Sequence, residues 1–187
     1  MLKKHFLSAI WLATFLVIPL KAQTIQLYNQ FLGKYDFTMI GNTLNMQENG
    51  VGSCSILTQS SANLNLTAGQ TIQAAYLYWA GSGSLAQADL NVKLNGIDIT
   101  AERTFTVSLG PSSLPVFGAF ADVTSLVFAN GNGTYTVSDL DLTSIIFPYC
   151  LDNGGGGTNF GGWSMVIVYG DPTLSNNLVN IYDGFEE

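Results

Sequence analysis

The side chains in this chain that could do chemistry are mostly carboxylates. Asp122, Asp139, Asp141, Asp152 and Asp171 supply the residue type a paired-carboxylate glycosidase needs, one acid for the leaving group and one base or nucleophile. Thirteen acids always offer such pairs, so residue type singles out none of them. The one histidine, His5, lies in an apolar N-terminal leader. Beyond that leader no imidazole is present for a Ser-His-Asp or Cys-His mechanism. The glycine run 154–157 lacks a following Lys-Ser or Lys-Thr and opens no helical pattern, which argues against a phosphate cradle. The chain therefore reads as non-catalytic.

Binding chemistry offers two candidates. Hard cations take carboxylates and carbonyls clustered on loops. Asp139 and Asp141 are expected on one strand face, and Asp152-Asn153-Gly154 forms a turn that could add ligands. These residues, Asp139, Asp141, Asp152 and Asn153, are the candidate calcium set; no other cofactor is indicated. No EF-hand spacing accompanies them, and Asp-Asn-Gly is also ordinary turn chemistry, so solvated loop carboxylates are the competing reading. Sugar recognition would use exposed aromatic platforms. Tyr76, Tyr78, Trp79, Trp163 and Tyr169 sit in segments that are apolar on both faces and read as core. Tyr149 and Phe160 flank the glycine loop and are expected to be exposed, which makes them the candidate ligand-binding pair.

The elements that must position these residues are short and β-like. Ile72 to Ala80 and Trp163 to Tyr169 are apolar on both faces, as central strands are. Asn95-Gly96 between Leu90–Leu94 and Ile97–Thr100 is a strong hairpin signal. Further strands are expected at 63–67, 104–109, 134–140 and 178–182, with a strand start at 54–57. Residues 23–50 read as one edge strand plus loop. Asp122 can cap a single helical turn that places Val123, Leu126 and Val127 on one side. Many short strands with turn residues between them predict an all-β antiparallel sandwich of Greek-key or jelly-roll type.

Lys3 and Lys4 precede an apolar run from Phe6 to Leu20, and Leu20 and Ala22 suit the −3 and −1 positions of a cleavage site. The run of roughly 15 residues fits a signal peptide and is short for a membrane span. We expect residues 1–22 to be removed on export, leaving residues 23–187 as one sandwich domain without a membrane span. That domain carries three basic and thirteen acidic residues, a formal charge of −10. Such a surface repels phosphate backbones, which excludes nucleic-acid binding. In an exported chain the two cysteines, Cys54 and Cys150, are most simply one disulfide.

Three segments carry a resemblance. They are Ala75-Tyr76-Leu77-Tyr78-Trp79-Ala80-Gly81-Ser82, then Phe120-Ala121-Asp122-Val123-Thr124 leading to Gly133-Thr134-Tyr135-Thr136-Val137, and Gly161 to Pro172 with Asp183-Gly184-Phe185. In this order they resemble the N-terminal domain of large exported surface proteins of Bacteroidetes-type bacteria. Those often carry adhesin-like repeats and a gliding-motility-associated C-terminal sorting domain. The resemblance implies a cell-surface β-sandwich with an adhesive or structural role toward a surface glycan or protein, and supplies no catalytic residues. Such chains continue well past the Asp-Gly-Phe segment, whereas this one stops at Glu187. The expectation is an N-terminal portion whose last strands are missing, leaving a sheet edge open. The Asp-Val-Thr segment, its apolar pair and the glycine turn are also similar to a pattern in galactose-binding-like jelly rolls, which makes a carbohydrate-binding module the alternative.

Two features can be read together in one spectrum. Exported with its own leader, the protein should have an intact mass that begins at Gln23 and should take up no alkylating reagent until reduced. A mass retaining residues 1–22, or two thiols alkylated without reductant, would contradict this reading.

Overall fold

A computed structural model of the chain describes residues 25–48, 54–108 and 114–185. The leader at 1–22 lies outside the described residues. The strands are β1 (Gln26–Gly33), β2 (Tyr35–Thr43), β3 (Ser60–Leu64), β4 (Thr71–Ser82), β5 (Asn91–Leu94), β6 (Ile97–Thr100), β7 (Arg103–Ser108), β8 (Pro115–Asp122), β9 (Gly133–Ser138), β10 (Gly161–Gly170) and β11 (Asn177–Asp183). One short helix, α1 (Thr124–Asn130), and two single 3-10 turns, Phe147–Tyr149 and Leu151–Asn153, complete the elements.

Pairing is antiparallel throughout and nested. β5 pairs β6 at the tip, β4 pairs β8, β3 pairs β9, β2 pairs β10 and β1 pairs β11. The chain is thus one long ribbon turned at Asn95-Gly96, where both residues have positive φ (51° and 81°), as a type I′ turn requires. Two further pairings, β10 with β4 and β9 with β5, roll the ribbon into sheets ordered β2-β10-β4-β8-β7 and β3-β9-β5-β6. This is jelly-roll connectivity, with β7 added at one edge and the β1-β11 pair as a third layer. Cys54 and Cys150 are bonded, with Cα atoms 5.7 Å apart and a sequence separation of 96. They tie the ribbon together between its β2-β10 and β3-β9 sections.

The three layers explain why β4 and β10 are apolar on both faces. Ala75, Leu77 and Trp79 of β4, with Trp163, Met165 and Ile167 of β10, face the four-stranded sheet and bury against Leu64, Val92, Leu94, Tyr135 and Val137. Ala74 and Tyr76 of β4, Val168 of β10 and Phe120 of β8 face the other way and bury against Val179 and Ile181 of β11. The outer pair reaches that face because the ribbon folds back at Gly33 (φ 145°), a conformation that side chains disfavour. The fold-back is held by the Asp171 N–H donating to the Lys34 carbonyl (2.9 Å) and the Asn177 amide donating to the Tyr35 carbonyl (3.0 Å).

Several expectations change. Residues 25–48 hold two strands, β1 and β2, because their apolar side chains serve two surfaces. Tyr28 and Phe31 pack downward from the third layer, while Ile40 packs into the main core. The expected strand at 54–57 is reduced to a single bridge between Asn45 and Ile56, since the disulfide diverts the chain there. β8 was not expected from the sequence. It is buried from Val116 to Ala121, so it lacks the alternation that marks a half-exposed strand. The helix starts one turn position later than Asp122, whose carboxylate accepts the Thr124 N–H at 2.9 Å.

Burial raises the phenol pKa of Tyr28, Tyr76, Tyr78, Tyr135, Tyr149 and Tyr169 above the ordinary tyrosine value. A raised native value means that this stability is fully present below about pH 10 and is lost as pH rises through the folded-state values. An alkaline ramp should therefore show most phenols ionising together with loss of the near-ultraviolet circular dichroism. Complete phenolate formation near about pH 10 with that signal intact would refute the packing described.

Candidate functional site

The third layer covers only part of the outer face of the five-stranded sheet. Trp79 and Trp163 point into the main core, so their neighbours Tyr78, Ala80, Gly162 and Ser164 point outward. Together with Thr43 and Phe160 they line a groove of about 380 Å³. Beside it, Phe37 and Met39 of β2 are 50% and 56% exposed, and they pair with Val168 and Val166 of β10. The result is an apolar shelf with a floor of small residues. Gly41 is part of that floor for a steric reason, since a Cβ there would sit 2.8 Å from the Ser164 Cα and against the Trp163 carbonyl.

Phe160 is delivered to the groove by the glycine-rich loop. Ser82 is fully buried, donates to the Thr158 carbonyl (2.8 Å) and accepts the Phe160 N–H (2.9 Å). Asn45 donates to the Asn159 carbonyl (2.9 Å) and accepts the Gly161 N–H (3.1 Å). Phe160 itself is half-buried. Tyr149, expected to be exposed beside it, is buried, and its hydroxyl donates to the Pro115 carbonyl. The 3-10 turn around Pro148 rotates the ring inward toward β8, so only one of the two candidate ligand aromatics reaches a surface.

The candidate cation ligands are not brought together. β9 ends at Ser138, and Asp139 has left-handed backbone (φ 61°), so Asp139 and Asp141 do not share a strand face. The Asp139 carboxylate is ion-paired with Lys93. Asp141 accepts both the N–H and the hydroxyl of Thr143, which holds its pKa below the ordinary value. Asp152 is exposed, and Asn153 lies in the same 3-10 turn, ended by Gly154 with φ 73°. Among the described residues, no three His, Cys, Asp or Glu side chains gather as a metal site. Two further carboxylates considered for hydrolysis are likewise occupied locally. Asp171 accepts from Thr173 as Asp141 does from Thr143, and Asp122 accepts from Thr124.

One cluster was not anticipated from residue types. Arg103 of β7 lies over the rings of Tyr28 (4.5 Å), Phe120 (4.8 Å) and Phe105 (5.5 Å) and is ion-paired with Asp183 at the end of β11. The Tyr78 hydroxyl donates to the other Asp183 oxygen at 3.3 Å. Burial, followed by the charge of Asp183, raises the Tyr78 phenol far above its ordinary pKa. Two residues on, Phe185 lies on Gly118, where a Cβ would come within 2.8 Å of its ring. Asp183-Gly184-Phe185 is therefore a latch that pins the third layer to the sheet beside the groove. Its signal in the sequence was Arg103, the basic residue that opens a strand otherwise without charge.

Searches against protein-family models, curated proteins and solved structures find no match to this chain. Among the described residues no helix is long and apolar enough to cross a membrane.

The latch predicts a specific loss. The Asp183 side chain is 6% exposed and that of Arg103 is 33% exposed, so the pair is only partly screened. Asp183→Asn should cost about 2 kcal/mol in urea unfolding, less than a fully buried pair would lose. Asp98→Asn, at a carboxylate 88% exposed and 3.8 Å from Lys93, should leave stability nearly unchanged. Equal effects of the two substitutions would remove the latch from this account.

Proposed function

We propose that this chain is a non-catalytic, exported β-sandwich module that makes protein contacts at the cell surface. The observation that carries this reading is the apolar shelf of Phe37 and Met39 beside the groove, half or more exposed on the outer face of the five-stranded sheet. Contiguous exposed apolar surface marks interaction sites and binding grooves. The disulfide across the rolled ribbon suits an oxidising compartment, and the leader supplies the route to it. The resemblance to surface proteins of Bacteroidetes-type bacteria agrees with both. Local hydrogen bonds and an ion pair occupy Asp139, Asp141 and Asp171.

Carbohydrate binding is the second reading, favoured by the jelly-roll connectivity and by Phe160 and Tyr78 at the groove. It is the weaker of the two. Both tryptophans at the groove's base are committed to the core, their indole N–H groups donating to the Asp89 carbonyl and the Ser60 hydroxyl (2.9 Å each). The Tyr78 hydroxyl is committed to Asp183. Fold likeness alone carries no ligand.

Immobilised protein can be scored by surface plasmon resonance against a panel of extracellular and envelope proteins and a panel of soluble glycans. The expected result is saturable protein binding that Met39→Glu weakens about tenfold, with no glycan response and no reducing sugar released from polysaccharides. Glycan binding with no protein binding would transfer the site to the second reading. Silence on both panels, or sugar release, would overturn the proposal.

A further inference from the structure

We infer that the exposed edge of β11 is a docking site for an extended strand of a partner protein carrying basic residues. The strand would add to the third layer over the apolar shelf. This deepens the protein-contact reading above and rests on it.

Backbone geometry identifies the edge. The Gln30 N–H is turned away from β11 and donates to the side chain of Asn29 (2.8 Å). Gln30 and its partner Asn180 therefore form a non-hydrogen-bonded pair. By alternation, Leu178, Asn180 and Tyr182 direct their backbone N–H and C=O groups away from β1. Among the described residues β11 pairs with β1 alone.

Comparable edges are blunted. Asn29 covers an outward N–H on β1 in the contact just described. On β2 the side chains of Asp36 and Asn42 accept the outward N–H groups of Phe37 (2.8 Å) and Thr43 (2.9 Å). Occupying edge donors in this way discourages strand addition. Along β11 the asparagine side chains are used elsewhere, Asn180 on Gln30 and Asn177 on the Tyr35 carbonyl.

The β11 edge also faces the groove. Tyr28 of β1 stacks on Tyr76 and Phe120. Asp183 of β11 instead reaches Tyr78, and Phe185 lies on Gly118, each one same-face step further along the sheet toward Ala80. β11 is therefore the member of the pair on the Ala80–Gly162 side. A strand added to it would turn alternate side chains down onto the shelf and into the groove of about 380 Å³. Strand addition combines backbone pairing with pockets for alternate side chains in this manner.

Charge selects the occupant. The three basic residues outside the leader are all engaged. Lys34 donates to the Pro172 carbonyl (2.6 Å), Lys93 pairs with Asp139, and Arg103 pairs with Asp183. Against thirteen acids these leave a surface that repels a second copy of the same domain and attracts a cationic segment.

The test uses a fluorescent synthetic peptide alternating valine and threonine with lysine at both ends, and a twin ending in glutamate. Fluorescence anisotropy with the whole exported protein should show saturable binding of the lysine peptide and about tenfold weaker binding of its twin at low salt. Asn180→Pro removes an edge donor without touching a β1-β11 backbone bond, and Met39→Lys alters the floor. Each should weaken binding by about tenfold or more while near-ultraviolet circular dichroism is retained. Should Asn180→Pro disturb folding, Met39→Lys alone decides. No binding of either peptide, or binding indifferent to Met39→Lys, overturns the inference. Self-association in sedimentation velocity that Asn180→Pro abolishes would give the edge to a second copy and overturn it too. If the peptides fail while the protein panel still responds to Met39→Glu, only the strand-edge inference falls. If the panel is silent as well, the broader reading falls with it.

Discussion

Everything in this fold depends on β10 pairing with two strands at once. A nested ribbon alone would be a long hairpin with both faces in water. When β10 takes β4 as a second neighbour, the ribbon rolls, and its two central strands gain a layer on each side. Burying both faces of β4 and β10 removes far more apolar surface from water than one face would, at about 25 cal/mol per Å². That burial determines the residue types along these strands. It also explains the indole hydrogen bonds of Trp79 and Trp163, because a buried N–H without a partner would cost more than it returns.

Rolling a ribbon this long is entropically demanding, because most contacts join residues far apart in sequence. The Cys54–Cys150 bond addresses that cost. By closing a 96-residue separation it removes many open conformations of the unfolded chain, about 4 to 5 kcal/mol in the chain-entropy model. It does so where the ribbon passes from one sheet to the other and no backbone ladder holds it. The Asp183-Gly184-Phe185 latch plays the corresponding part for the third layer, where only two strands are available and isolated pairs are marginal.

The same economy of charge links stability to surface chemistry. With few cations available, each is used at a position where backbone ladders end or a layer must be fastened, Lys34 at the fold-back, Lys93 at the left-handed Asp139 and Arg103 at the latch. Among the described residues the outward surface carries acids and hydroxyls together with exposed apolar side chains, Leu27, Leu32, Leu178 and Tyr182 on the outer layer and Phe37 and Met39 on the shelf. The net negative charge of that surface opposes association with copies of itself.

The all-β class, the hairpin at Asn95-Gly96, the central strands β4 and β10 and the cysteine pair were legible in the sequence because each follows from local chemistry. φ preferences fix the turn, two-faced apolar runs mark buried strands, and two cysteines have only each other. The third layer, β8, the inward turn of Tyr149 and the separation of Asp139, Asp141 and Asp152 were not legible. Each depends on what another part of the chain, distant in sequence, presents opposite it. Phe37 and Met39 show the distinction most clearly. Their alternation with Thr38 and Ile40 is that of a strand with two apolar faces, and sequence could not say which face would be covered. Tertiary structure decided it, because the β1-β11 pair is only two strands wide and leaves Phe37 and Met39 50% and 56% exposed.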